Sequence, residues 1–81
     1  MTTAQIKEAV LRGLGQIAPE ADLGSLAPRA NIRETLDIDS FDFLNFLVGL
    51  NQALGVEIPE SDYDQLTTLD DIVGYLSAHI G

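Results

Sequence analysis

Cysteine and tryptophan are absent from this chain, and histidine occurs once. Without cysteine there are no disulfide staples, no thiolate nucleophile of the chain's own and no Cys-based zinc site. With His79 alone, near the C-terminus, there is no His pair to ligate a metal and no candidate general base near Ser40 in sequence, so a catalytic triad is not expected. Glycine-rich phosphate loops of the GxGxxG or Walker type are missing as well. Cations are scarce: Lys7, Arg12, Arg29 and Arg33 are the only four, against 13 acidic residues, for a net charge of −9. From Glu34 onward ten acids and no Lys or Arg follow. Nucleic acid and anionic membrane would be repelled, and basic protein surfaces are the partners such a field favours. No apolar run is long enough to cross a bilayer. The opening MTTAQIKEAV lacks the basic and apolar regions of an export signal, so a cytoplasmic location without membrane insertion is expected.

What remains is an 81-residue chain with 46% hydrophobic residues. That is one small globular domain, residues 1–81, held by packing alone. Apolar residues at Ile6, Val10, Leu14 and Ile17 have helical spacing, and Thr2 with Gln5 forms a capping-box pair, so a helix is predicted over 2–17. Gly13 and Gly15 are expected to weaken its end. Positions 18–39, broken by Pro19, Gly24 and Pro28, read as a long connection pinned by Leu23, Leu26, Ile32 and Leu36. A second helix begins at Asp39 or Ser40 and stops at Gly55. Its Phe43, Phe46, Leu47, Leu50 and Leu54 share one sector and should face the core. Phe41, Leu44 and Val48 fall in another sector and should face outward. A short helix is placed at about 60–66. A last helix follows Thr68, with the capping pair Thr68 and Asp71 and the apolar series Leu69, Ile72, Val73, Leu76 and Ile80. The fold class expected is all-α: a small antiparallel bundle of three main helices, one short helix and a long first loop.

The acids do not make a calcium loop. Counted from Asp37, the fifth, sixth and twelfth positions hold Phe41, Asp42 and Val48 where an EF-hand needs an Asp or Asn, a Gly and a Glu, and no metal site is expected. Asp39-Ser40 on its own reads as a helix cap.

The flanks of that pair carry more. Leu36, Asp39-Ser40, Ile58-Pro59, Leu66-Thr67-Thr68-Leu69 and Tyr75 together resemble the acyl carrier protein family at the family's spacing. The likeness spans nearly the whole chain. It implies a non-catalytic carrier. Ser40 would hold a 4'-phosphopantetheine arm derived from coenzyme A, and Asp39 would help position the chemistry of a separate phosphopantetheinyl transferase. The arm would carry an acyl group as a thioester between acyl-loading and acyl-accepting enzymes of lipid or fatty-acid-derived biosynthesis. Ile32, Leu36, Leu44, Leu66 and Ile72 would lie near a bound chain.

Partner-facing residues would be Phe41, Asp42, Leu44, Asn45 and Val48. Where many members have glutamates on the second helix, this chain has Asn45, Asn51 and Gln52. Asp37 stands where glycine is usual, and Phe41 where leucine is. The departures imply a specialised carrier, docked more by Phe41, Leu44 and Val48 than by salt bridges. A freestanding monomer is expected. A carrier of an activated amino acid, and a helical interaction module that never receives a cofactor, are the alternatives at this stage.

Overall fold

A computed structural model describes residues 1–80. Three long helices form the frame: α1 (Thr3–Ile17), α3 (Ser40–Leu54) and α4 (Leu69–Ile80). Between the first two lies a short α2 (Ile32–Thr35); a single 3-10 turn occupies Leu23–Ser25, and a six-residue 3-10 helix occupies Glu60–Gln65, where the short helix was expected. The fold is all-α, and among the described residues no strand is formed, only an isolated bridge between Asn31 and Thr68.

Each long helix starts where its side chains can satisfy the orphan N–H groups of the first turn. Thr2 and Gln5 cap α1 reciprocally, at 3.2 Å and 2.8 Å. Thr68 and Asp71 do the same for α4, at 3.1 Å and 3.2 Å. Asp39 caps α3 alone, accepting the Asp42 N–H at 2.8 Å. Gly55 ends α3 in the left-handed region at φ 68°, which glycine adopts without a Cβ penalty.

One continuous core fills the space between the helices. Val10, Leu14, Ile32 and Leu76 are wholly buried, and Ile6, Leu47, Leu66, Leu69 and Ile72 nearly so. α1 packs against both α3 and α4. Phe43 and Phe46 sit in this core with ring centroids 5.7 Å apart.

Two sequence expectations need correction. The connection 18–39 is not an unbroken loop. It holds the turn at Leu23–Ser25 and the helix α2, whose Asn31 caps it through the Glu34 N–H at 3.0 Å. It is also tied to the start of α4: Ile32 N–H donates to the Thr67 carbonyl, and Asp70 N–H to the Pro28 carbonyl, both at 3.0 Å. α1 runs to Ile17, as its apolar spacing predicts, with Gly13 and Gly15 inside it. A Cβ at Gly13 would lie 3.0 Å from a Phe46 ring carbon, so the bare backbone there lets the ring in. Leu54, placed on the core face of α3 by its angle, is only half-buried at the helix end.

Candidate functional site

The start of α3 sets the geometry. Asp39 is the N-cap in extended conformation, and Ser40 is the first helical residue. Capping therefore falls to Asp39. Ser40 is left exposed beside the positive end of the helix dipole. Just upstream, Asp37 adopts a left-handed conformation at φ 54°, the single non-glycine residue with positive φ among those described. This bend brings the chain from α2 into α3. Ile38, two residues before Ser40, is buried and anchors the approach.

Ser40 lies on the rim of an open hollow of about 240 Å³. Phe43 and Leu44 from α3, Asn31 and Arg33 from the α2 segment, and Tyr63, Asp64, Leu66 and Thr67 from the stretch before α4 complete its wall. Of the residues expected near a bound chain, the structure brings Leu44 and Leu66 to this hollow. Ile32 and Ile72 are closed inside the core, and Leu36 is half-buried and lines a separate hollow with Ala21 and Leu26. The core positions are already filled by Phe43 and Phe46.

The sequence reading missed Arg33, Asn31, Tyr63 and Thr67 as wall residues. The available signal was Arg33 itself, the last cation before a wholly acidic remainder. Its guanidinium carbon stands 6.0 Å from the centre of the Phe43 ring, at the outer reach of a cation–π contact. Among the described residues the one ion pair joins Arg12 to Glu8 at 3.1 Å, so Arg33 has no carboxylate partner.

The outward stripe of α3 is exposed: Phe41 by 69%, Leu44 by 42% and Val48 by 44%. Neither the first connection nor the 3-10 helix covers it. Asn45 is exposed between these side chains and Asp42 is half-buried. Phe41, Leu44 and Val48 form an apolar ridge beginning one residue after Ser40.

A second polar cluster lies on α4. The Tyr75 hydroxyl donates to Asp62 Oδ2 at 2.7 Å. That bond to a carboxylate, with some desolvation and the nearby negative charge, pushes the phenol up to about 12. His79 stacks on the Tyr75 ring at 4.1 Å between centroids, and its Nδ1 lies 2.8 Å from the Tyr75 carbonyl oxygen. This cluster staples the Glu60–Gln65 helix to α4, and none of its members lines the hollow beside Ser40.

Comparison with known proteins agrees with this architecture. The phosphopantetheine attachment site family matches residues 4–76. The acyl carrier protein of Rubrobacter xylanophilus is 30% identical over 76 residues, covering 90% of this chain and 94% of the relative. That of Lactobacillus acidophilus is 34% identical over 62 residues, covering 76% of this chain and 78% of the relative. The chain belongs to the acyl carrier protein family. It is a carrier and not a catalyst, and its prosthetic group is 4'-phosphopantetheine. Interaction with a phosphopantetheinyl transferase and with acyl-handling enzymes comes with that membership. Among the described residues no helix is long and apolar enough to cross a membrane.

The residues at the start of α3 fit such a group. An exposed hydroxyl is offered at the first helical position, where backbone N–H groups favour a phosphate. An open hollow of mixed polar and apolar character adjoins it.

Proposed function

We propose that Ser40 is the attachment point of the arm and that the chain is a freestanding carrier of a thioester-linked acyl group. The observation that carries this reading is the division of labour at the α3 start. Asp39 makes the cap, so the exposed Ser40 hydroxyl has no structural duty there. In the transferase reaction Ser40 Oγ gains a bond to phosphorus, the pyrophosphate bond of coenzyme A breaks to release adenosine 3',5'-bisphosphate, and the serine proton passes to a base of the transferase. Asp39, adjacent to the hydroxyl, holds it in register for that enzyme. When bound, the arm supplies a terminal thiol that carries the acyl group. The chain itself needs no cysteine.

The ridge of Phe41, Leu44 and Val48, flanked by Asp42 and Asn45, is the docking surface for the transferase and for the loading and accepting enzymes. An exposed aromatic in an apolar patch, such as Phe41 at the head of this ridge, is a candidate for a large share of the interface energy. The carrier works as a cytoplasmic monomer, between enzymes of lipid or fatty-acid-derived biosynthesis. Intact mass after incubation with coenzyme A and a broad-specificity transferase tests the reading, with Ser40→Ala alongside. One phosphopantetheine gained by the parent protein and none by the variant is the expected result. No gain by the parent, with the transferase active on another carrier, would remove the carrier reading.

A further inference from the structure

We infer that Arg33 is a positioning residue for the arm: its guanidinium meets the phosphodiester on Ser40 and lays the arm into the hollow beside α3. This rests on Ser40 being the attachment point. Three observations lead to it.

The first is charge. The phosphodiester adds a negative charge where Asp37, Asp39 and Asp42 already crowd the entry to α3. The helix dipole offsets only part of that repulsion. Arg33 is the one cation in the wall of the hollow that Ser40 also borders.

The second is availability. Among the described residues only Arg12 of the four cations pairs with a carboxylate, so Arg33, like Lys7 and Arg29, keeps its charge unneutralised, and of these three it alone lines the hollow. Its longest-reaching contacts are weak ones, a 3.5 Å approach of Nε to the Ile38 carbonyl and the 6.0 Å placement over Phe43. A guanidinium held near a ring with both Nη groups unpaired is suited to a phosphate, which it can engage with two parallel N–H bonds.

The third is the character of the hollow. Pantetheine alternates amides and a hydroxyl with apolar carbon. The wall is likewise mixed, with Asn31, Tyr63 and Thr67 beside Phe43, Leu44 and Leu66. The hollow does not continue into the core, since Ile32 and Ile72 are at most 1% exposed. It has room for an arm along the surface and no buried tunnel beyond it.

The test uses the loaded protein, with the arm enriched in 15N and 13C. NMR relaxation of the two arm amides and the 31P line of the phosphodiester are compared in the parent, Arg33→Gln and Arg33→Lys. In the parent, arm amides tumbling with the protein and cross-peaks from the arm to Tyr63, Leu66 and Thr67 are expected. In Arg33→Gln the cross-peaks vanish and the arm amides move as in free pantetheine. Arg33→Lys is intermediate, because charge is kept and the fork is lost. Raising salt toward 1 M should loosen the arm of the parent, since screening then acts within about 3 Å. An arm that is already free in the parent, or equally held in Arg33→Gln, overturns the inference. Backbone amide spectra of the unloaded variants establish that each is folded. A parent that takes up no arm at all would instead count against Ser40 as the attachment point, and mass analysis before the NMR separates that failure from this one.

Discussion

The Asp39 carboxylate accepts the Asp42 N–H at 2.8 Å, across the backbone of Ser40. Under the proposed attachment at Ser40, the cap and the attachment point are neighbouring side chains. Asp39→Ala should cost about 1 kcal/mol of stability through the lost cap. Ser40→Ala should change stability by less than about 0.5 kcal/mol, as exposed substitutions usually do, while abolishing loading. Urea unfolding beside the mass assay checks both. A large loss of stability in Ser40→Ala would show that the serine has a structural part after all.

Three helical glycines give opposed expectations. At Gly49 and Gly74 an added Cβ meets nothing within 4 Å. Alanine at either should stabilise by about 0.5–1 kcal/mol through helix propensity. At Gly13 the same Cβ would lie 3.0 and 3.1 Å from two Phe46 ring carbons. Phe46 is nearly fully buried and cannot retreat without disturbing the core. Gly13→Ala should therefore be net destabilising, by about 1 kcal/mol after the propensity gain is subtracted. Denaturant midpoints of the three variants decide the matter, and equal shifts in all three would mean that the ring adapts freely.

The long helices were legible because each combines a 3.6-residue apolar period with a capping signal. Thr2 with Gln5 and Thr68 with Asp71 form the reciprocal bonds that their spacing suggests. α2 was not legible. Four residues are too few to show a period, and its anchoring bond from Ile32 N–H reaches the Thr67 carbonyl, far along the chain. The site divided in the same way. Exposure of Phe41, Leu44 and Val48 follows from helical angle. Depth does not follow from spacing: Ile32, Leu36 and Ile72 stand at positions similar to those of the family, yet the first and last are sealed in the core. That Arg33 and Ser40 line one hollow was not legible either, because it depends on how the short α2 and the start of α3 fold together and not on spacing along the chain.

The left-handed bend at Asp37 carries its own prediction. An L-residue in the left-handed region costs roughly 1–2 kcal/mol, less for Asp and Asn. Asp37→Val should lose about 1–2 kcal/mol, since a β-branched side chain fits worst there. Asp37→Gly should gain about 0.5 kcal/mol, the relieved backbone and a thinner acidic cluster together outweighing glycine's entropy. Asp37→Asn separates the two contributions by removing charge alone. Similar losses for the valine and glycine variants would sink the conformational account.

Tyr75 gives a pH dependence. Its folded value, about 12, lies above the ordinary 10.0. The neutral phenol is therefore favoured by folding. Its contribution is complete below pH 10 and is lost as pH rises through 12. Ultraviolet titration should show one tyrosine ionising only near pH 12. Asp62→Asn should bring that step down toward 10, because it removes the charged acceptor that is the main cause of the shift. A step unmoved by Asp62→Asn would mean that desolvation, and not the bond, holds the proton.

The ridge after Ser40 predicts how partners are recognised. With Asn45, Asn51 and Gln52 along α3 and a single acid, Asp42, after the serine, few charge pairs are available to a basic partner. Docking that depends on Phe41 should lose about 2 kcal/mol or more in Phe41→Ala, roughly 30-fold in affinity. Leu44→Ala and Val48→Ala should cost less, and Asp42→Asn least, because charges at a rim act mainly on the rate of encounter. Affinity for the transferase, measured by calorimetry at two salt concentrations, should change little with salt in the parent. Apolar burial should also give a negative heat-capacity change. A steep fall of affinity with salt, with Phe41→Ala unaffected, would return recognition to the acidic field of the whole chain and leave the exposed Phe41 without a role.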